Sequence, residues 1–399
     1  IKKLLDSIDE LVEKNDLQFV EHNVEEIKNE DKISFKLNIF EGEKVLVERI
    51  NILGNNVTNE DVIRSELEID EGDPFTKIGL DKSVSNLKSR RLFSQVTSET
   101  KDGSEKNLKI IDVKVEEQPT GEISAGAGVG TNGGTFVINI SENNWMGEGN
   151  RVGFALDVDS ESLKGKVDFT NPNYDYFGNS INYSISSSQN DKPDQGYENT
   201  VLGASIATSF EQYKDINTRL GLEASYDDLQ TLDSASDSLK KQKGTFSELA
   251  ANYRVTLDKR NRSFMPTSGS VVAFGQSLPI YADRGAISNT LSASFYKSIT
   301  DNIIGASKIY VNAINGLNDE DVRLSKRVSL STRRLRGFER GKIGPIDGSD
   351  HVGGNYAAAI NFEANLPNFL PENTKTDVGL FLDFGNVWGV DYDETLDES

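Results

Sequence analysis

The sequence predicts α+β modules followed by an antiparallel transmembrane β-barrel, and three observations carry that reading. Helical periodicity is confined to residues before Pro119. Beyond it, apolar and polar residues alternate in runs of about ten, the pattern of tilted membrane-spanning strands. No stretch approaches the roughly 18 consecutive apolar residues that a transmembrane helix requires. The mean hydropathy of -0.48 does not oppose insertion, because a barrel strand averages an apolar and a polar face.

Residues 1–43 read helix, strand, strand. Leu4, Leu5, Ile8, Leu11 and Val12 recur at helical spacing, and Leu17 to Ile27 and Ile33 to Phe40 follow as strands joined by Lys28 to Lys32. Residues 44–118 repeat that order with more at the front. A strand from Lys44 to Leu53 ends in Gly54-Asn55, and a short helix runs from Thr58 to Leu67, with Thr58 placed to cap it and Asp61 three residues later. A second helix spans about Thr76 to Leu92 with Leu80, Val84 and Leu87 on one face. Strands at Gln95 to Thr100 and Leu108 to Glu116 complete a β-α-α-β-β unit, whose repeat of roughly 75 residues is too long for the common solenoids.

After Pro119 only alternating runs follow. They fall near 121–129, 133–144, 149–159, 163–171, 179–189, 198–210, 216–227, 245–257, 269–278, 288–299, 302–313, 352–366 and 376–388, about 13 strands. In the third, Val152, Phe154, Leu156 and Val158 oppose Gly153, Ala155, Asp157 and Asp159. The first holds Gly121, Ala125, Gly126, Ala127, Gly128 and Val129 and continues to Gly130, so it is small and weakly packed, or lets another backbone approach closely. In the last two, parity puts Glu363 on the polar face of one and Phe381 and Asp383 on the polar side of the other. If the sheet closes in lipid, that face is the lumen. The longest apparent loop, carrying Leu335, Arg336, Gly337 and Phe338, then folds inward so that Arg336 pairs with both acids.

Composition narrows the function. The 43 Lys and Arg against 64 Asp and Glu, net -21, argue against nucleic acid, which needs clustered cations. Without cysteine there is no disulfide, thiolate metal site or thiol nucleophile. His22 and His351 are far apart, so no histidine-based metal site or Ser-His-Asp triad assembles. Gly128-Val129-Gly130-Thr131-Asn132-Gly133 fits a dinucleotide fingerprint, but the strand Thr135 to Ile140 follows it where a helix is required. Glu363 and Asp383 as general acid and base is the enzymatic alternative. An arginine beside both would keep both ionised at neutral pH, which favours a structural clasp and no enzyme. Trp145, Tyr174, Tyr176, Phe177 and Trp388 near strand ends suit an aromatic girdle, and equally the general preference of aromatics for strands.

Leu335-Arg336-Gly337-Phe338 resembles the Val-Arg-Gly-Phe motif in the inward-folded sixth extracellular loop of the BamA family of outer-membrane β-barrel assembly proteins. The resemblance extends through Leu257-Asp258-Lys259-Arg260, Pro266-Thr267-Ser268-Gly269, Gly353-Gly354-Asn355, Phe362-Glu363-Ala364-Asn365-Leu366-Pro367 and Phe381-Leu382-Asp383-Phe384-Gly385-Asn386-Val387-Trp388. Ile50-Asn51-Ile52-Leu53-Gly54-Asn55 is similar to the first-strand signature of the POTRA module. Together these cover about residues 44 to 390.

The resemblance implies the tail of one POTRA module at 1–43, a complete one at 44–118 and the barrel at 119–399, with POTRA modules in the periplasm and the barrel in the bacterial outer membrane. It implies about 16 strands, an even number, so that three lie beyond Ser399 and both ends of the sequence are cuts. The outside connections are then Asn190 to Asn199, Leu229 to Gly244 and Asn315 to His351, the longest ones, as expected of such barrels. It further implies that Leu335, Arg336, Gly337 and Phe338 form a loop latch with Glu363, Asp383 and Phe381 as lumen partners. Gly121, Ala125, Gly126, Ala127, Gly128 and Val129 form the first strand of a lateral gate, where a client strand adds by β-augmentation. Implied partners are unfolded outer-membrane β-barrel clients, accessory assembly lipoproteins and periplasmic chaperones on the POTRA modules, and outer-membrane lipid. No cofactor is implied. A related secretion or translocation pore of the same superfamily and, in another class, a passive porin are the alternatives.

Overall fold

The computed structural model describes residues 20–29, 32–41, 45–130, 133–175, 177–300, 303–366, 378–393 and 395–396. The helix expected at Leu4 to Val12, the start of the strand expected from Leu17, Tyr176 and Pro367 lie outside them. The described residues divide into two compact units: those up to Gly121 with Glu142–Asn150, and the remainder.

In the first unit, β1 (Val20–Asn29) and β2 (Lys32–Glu41) pair antiparallel. The following module runs β3 (Leu46–Leu53), α1 (Glu60–Arg64), α2 (Lys77–Ser89), β4 (Phe93–Asp102) and β5 (Leu108–Glu117). Its sheet has the order β3-β5-β4, with β3 parallel to β5 and β4 antiparallel to it. Ile50, Ile111, Val113 and Val115 cover the sheet face on which Ile63 of α1 and Leu80 and Leu87 of α2 pack, all buried. Burying an apolar face on each element is what holds a domain this small together.

Thr76 caps α2, its hydroxyl accepting the Gly79 N–H at 3.1 Å. Thr58 does not cap α1. The cap position is Asn59, without a side-chain bond, and the Thr58 hydroxyl is engaged instead by Glu117 and Asn144. The backbone N–H groups of Asn56, Val57 and Thr58 all donate to the Glu117 carboxylate, at 3.0, 3.1 and 2.7 Å. Burial pushes the Glu117 carboxyl up, but these three donors and the Thr58 hydroxyl outweigh it and hold it below its ordinary value. Thr58 Oγ1 accepts the Asn144 amide at 2.9 Å, and Asn59 N–H donates to Gly147 O at 2.8 Å. Those bonds are why the 142–150 turn clusters with this module.

The second unit is one antiparallel sheet of thirteen strands. They are β6 (Gly121–Gly130), β7 (Gly133–Trp145), β8 (Asn150–Val158), β9 (Ser162–Asn171), β10 (Ser180–Lys192), β11 (Tyr197–Tyr213), β12 (Ile216–Thr231), β13 (Gly244–Asp258), β14 (Gly269–Ala282), β15 (Ala286–Thr300), β16 (Ile303–Gly316), β19 (Tyr356–Leu366) and β20 (Val378–Trp388). Each pairs with its neighbours in the chain. The one skip is from β16 to β19, because β17 (Ile346–Asp347) and β18 (Asp350–His351) form a separate hairpin within the long connection. Pro279 in β14 sits beside the register shift opposite Leu249 and Ala250, the kind of irregularity at which a strand tolerates a residue without an N–H.

Several expectations need correction. The connection expected at Asn190 to Asn199 shortens to 193–196, since pairing continues to Lys192 and Tyr197. The strand expected from Val352 starts at Tyr356, and Val352, still in the connection, is buried with Tyr197, Leu229 and Leu324. Helical structure does occur after Pro119: α3 (Asp237–Lys240), with the Ser236 hydroxyl accepting the Leu239 N–H and Leu239 fully buried. One short turn leaves no periodicity to read.

The sheet is built the reverse way to that of a soluble protein. Ile185, Leu202, Leu222, Phe274, Leu291, Phe362, Leu382 and Phe384 stand exposed, and the register aligns their strands so that they share one face. A contiguous exposed apolar face of this extent belongs in lipid. No helix among the described residues is long and apolar enough to cross a membrane, which leaves crossing by strands untouched.

Candidate functional site

On the other face of β16, β19 and β20 the register sets up a receptor for the long connection 317–355. Asn361 pairs with Asp383 across β19 and β20, Glu363 with Phe381, and Lys308 of β16 with Asn361. Strand parity puts all five on one side. Further along that face come Ala357, Ala359 and Val387, small or branched residues on which Leu330 and Leu335 of the connection are buried. Gly385 makes room here. A β-carbon on it would stand 2.8 Å from Leu330 Cδ1 and 3.1 Å from Ala358 O.

Beyond Leu335 the chain delivers Arg336 to the carboxylates. Its backbone N–H and Nε donate to Asp383 Oδ2 at 3.0 and 2.7 Å, and Nη2 to Oδ1 at 2.6 Å. Nη1 lies 3.1 Å from Glu363 Oε1, and the guanidinium stands 3.9 Å over the Phe381 ring. This is the forked recognition of a carboxylate for which arginine is suited and lysine is not. Glu363 also accepts from Lys308 Nζ at 2.6 Å, so two cations and two carboxylates balance. Asn361 Nδ2 donates both to Asp383 Oδ1 at 2.8 Å and to Arg334 O at 2.7 Å, tying the loop backbone to the same acid. The Arg334 guanidinium lies on the Tyr310 ring of β16, 3.3 Å from its centroid.

Asp383 thus accepts four hydrogen bonds, the full capacity of a carboxylate, and its side chain is 3% exposed. It has no lone pair left for a substrate proton, so with the loop docked Asp383 serves to hold Arg336 and not as a base. Gly337 takes φ 86°, a left-handed turn right after Arg336, and Phe338 is exposed. No group of three or more metal-ligating side chains occurs among the described residues.

Gly121, Ala125, Gly126, Ala127, Gly128 and Val129 lie apart from this cluster, on β6, one end of the hydrogen-bond order. A β-carbon on Gly126 or Gly128 would meet nothing within 4 Å, and Val129 is 91% exposed. The roles of Asn361, Lys308 and the Arg334–Tyr310 stack were missed from sequence. Asn361 had the parity of Glu363, and the spacing of basic residues around Arg336 was the available signal for Arg334.

The chain matches the family model described as the Omp85 superfamily domain over residues 144–399, and the model described as surface antigen variable number repeat, of the POTRA type, over 45–118. It is 27% identical over 370 residues to the outer membrane protein assembly factor BamA of Neorickettsia risticii, covering 90% of this chain and 49% of that protein. The chain therefore spans about half the length of the curated relatives it matches first. Among solved structures, BamA from Haemophilus ducreyi lacking POTRA domains 1–3 superposes with TM-score 0.75 at 20% identity, covering 98% of this chain and 82% of that one. CdiB from Acinetobacter baumannii follows at TM-score 0.53 and 13% identity, covering 93% and 69%.

Proposed function

We propose that this chain, which belongs to the BamA family of the Omp85 superfamily and to the outer membrane, folds and inserts other β-barrel proteins there. The observation that carries this is the character of β6. It is a strand of glycine and alanine at one end of the sheet's hydrogen-bond order, with little side-chain packing to resist separation from whatever pairs with it.

A strand entering lipid unpaired exposes backbone N–H and C=O groups at several kcal/mol each. A weak seam at β6 offers those groups partners, so a client strand adds by main-chain pairing and its own folding drives insertion. No nucleotide is needed. In this reading residues 1–43 are the tail of one POTRA module, 44–118 a complete one and 119–399 the barrel. The POTRA sheet edges receive clients, chaperones and accessory lipoproteins by the same chemistry. The Leu335–Phe338 segment is a latch that Arg336 closes on Glu363 and Asp383, and it steadies the wall at β16, β19 and β20.

The test is a liposome assay with the full-length protein, following the folding of an unrelated outer-membrane barrel. Acceleration that is lost when β6 is cross-linked, on the side away from β7, to the strand that pairs with it in the full-length protein supports the proposal. Large steady conductance without acceleration overturns it in favour of a porin. Export of one dedicated substrate without acceleration points to a secretion pore, the reading the CdiB likeness keeps in view.

A further inference from the structure

Between Arg323 and Lys342 the long connection carries eight basic residues and one acid, Glu339, in a chain of net charge -21. Arg336 is not the most buried of them. The Arg323 side chain is 2% exposed against 28% for Arg336. Arg323 Nη2 donates to Glu248 of β13 at 2.6 Å, Nη1 lies 3.5 Å from Asp227 of β12, and the guanidinium stands 5.0 Å over Phe246. Lys326 Nζ reaches Glu248 at 2.8 Å, while Ser325 and Asn199 donate to Asp227 at 2.5 and 2.8 Å. Next in the chain, Arg327 Nη2 donates to Asp391, just past β20, at 2.6 Å, and the other Asp391 oxygen accepts the Val322 N–H at 2.6 Å.

Arg323 and Lys326 face Asp227 and Glu248, Arg327 faces Asp391, and a further opposite pair, Arg284 and Asp283, also acts on Arg323, with Arg284 6.0 Å from the centre of the same Phe246 ring. These groups sit against the buried cluster of Tyr197, Leu229, Leu239, Leu324, Val352 and Val390. Any excursion of 322–327 would strand Asp227 and Glu248 in a nearly dry site, which is strongly unfavourable. Between the two clusters there is little slack. Val328 and Gly354 exchange backbone bonds of 2.8 and 3.0 Å, and Leu330 and Leu335 are buried on Ala357, Ala359 and Val387.

We propose that Arg323 and Arg327 are positioning residues for Arg336. The connection is clasped at two points, and the outer clasp sets the place from which Arg336 reaches Asp383 and Glu363. This goes beyond the assembly reading and is tested on the protein alone, so failure of a client-folding assay leaves it standing.

The Arg336 backbone N–H, donated to Asp383, is a local reporter that hydrogen exchange can follow in the full-length protein in liposomes. Arg323→Gln is expected to speed exchange at Arg336 at least tenfold, with amides at the centre of the β11–β12 pair unchanged. The neutral pair Arg323→Gln with Glu248→Gln is expected to bring it back toward the wild-type rate, since replacing both partners of a buried pair is far milder than removing one. Should Arg323→Gln fail to fold, Glu248→Gln carries the same expectation. Faster exchange confined to 322–327, with Arg336 unchanged, overturns the proposal. So does strict additivity of Arg323→Gln and Arg336→Ala at the Leu335 amide, because coupled clasps give a non-additive cycle.

Discussion

Arg336→Ala removes the guanidinium and keeps the backbone, which makes its effect calculable in outline. Three side-chain contacts disappear, two to Asp383 and one to Glu363, together with the stack on Phe381. Glu363 keeps Lys308 as a partner, and Asp383 keeps the residue-336 N–H and Asn361. What remains is an Asp383 charge in a nearly closed site without a cation. Breaking one side of a buried pair costs about 3 to 5 kcal/mol, and the surviving donors place this case at the lower end, about 3 kcal/mol. That is roughly a hundredfold shift toward the open loop. Amide exchange at residues 335–337 should rise by about that factor, and the temperature at which the folded barrel loses its fast gel mobility should fall. Arg336→Lys should recover only part, since one ammonium cannot fork onto Asp383 and reach Glu363. Unchanged exchange and heat resistance in Arg336→Ala would refute the reasoning, because the loop would then be held without its clasp.

Three further outcomes follow from the same contacts. Leu335→Ala should destabilise loop docking by about 2 to 5 kcal/mol, read as protease sensitivity after Arg333 or Arg334, since Leu335 is buried and its site is lined by alanines that cannot collapse inward. Gly337→Ala should cost about 1 to 2 kcal/mol by the same readout, through backbone strain at φ 86° alone, since the added methyl meets nothing within 4 Å. In the α/β module, the Glu117 carboxyl is held below its ordinary value of about 4.5, so the stability it adds is fully present above that value and is lost as pH falls through the lower folded value. Glu117→Gln should therefore flatten the acid limb of a urea-midpoint-against-pH curve below about pH 4.5 and lower stability at pH 7, and parallel wild-type and variant curves would contradict the assignment.

Much of this was legible because strand alternation is local. Side chains two residues apart share a face whatever the strand pairs with, so the thirteen strands and the shared face of Glu363, Phe381 and Asp383 could be read directly, and Leu80 and Leu87 by the helical period. The motif around Arg336 pointed to the loop through resemblance, not through periodicity. The misreadings have local causes too. Thr58 has the residue type and spacing of a cap, but Glu117, 59 residues on, and Asn144 engage its N–H and hydroxyl. Asn190 to Asn199 is polar like a loop, yet the ladder continues into it as far as Lys192 and Tyr197, with side chains paired across the strands, Asn190 with Asn199 at 3.0 Å.

The chain by itself determined the order of elements, the apolar and polar face of each strand and an excess of cations in one connection, all properties of neighbours in sequence. Only the tertiary structure decided where that connection goes. Its burial rests on Asp227, Glu248, Asp383 and Asp391, acids 47 to 96 residues from the arginines they meet. Nothing in an arginine's immediate surroundings names its partner: a charge can leave water only when the whole sheet has brought an opposite charge to it, and that meeting exists in the fold alone.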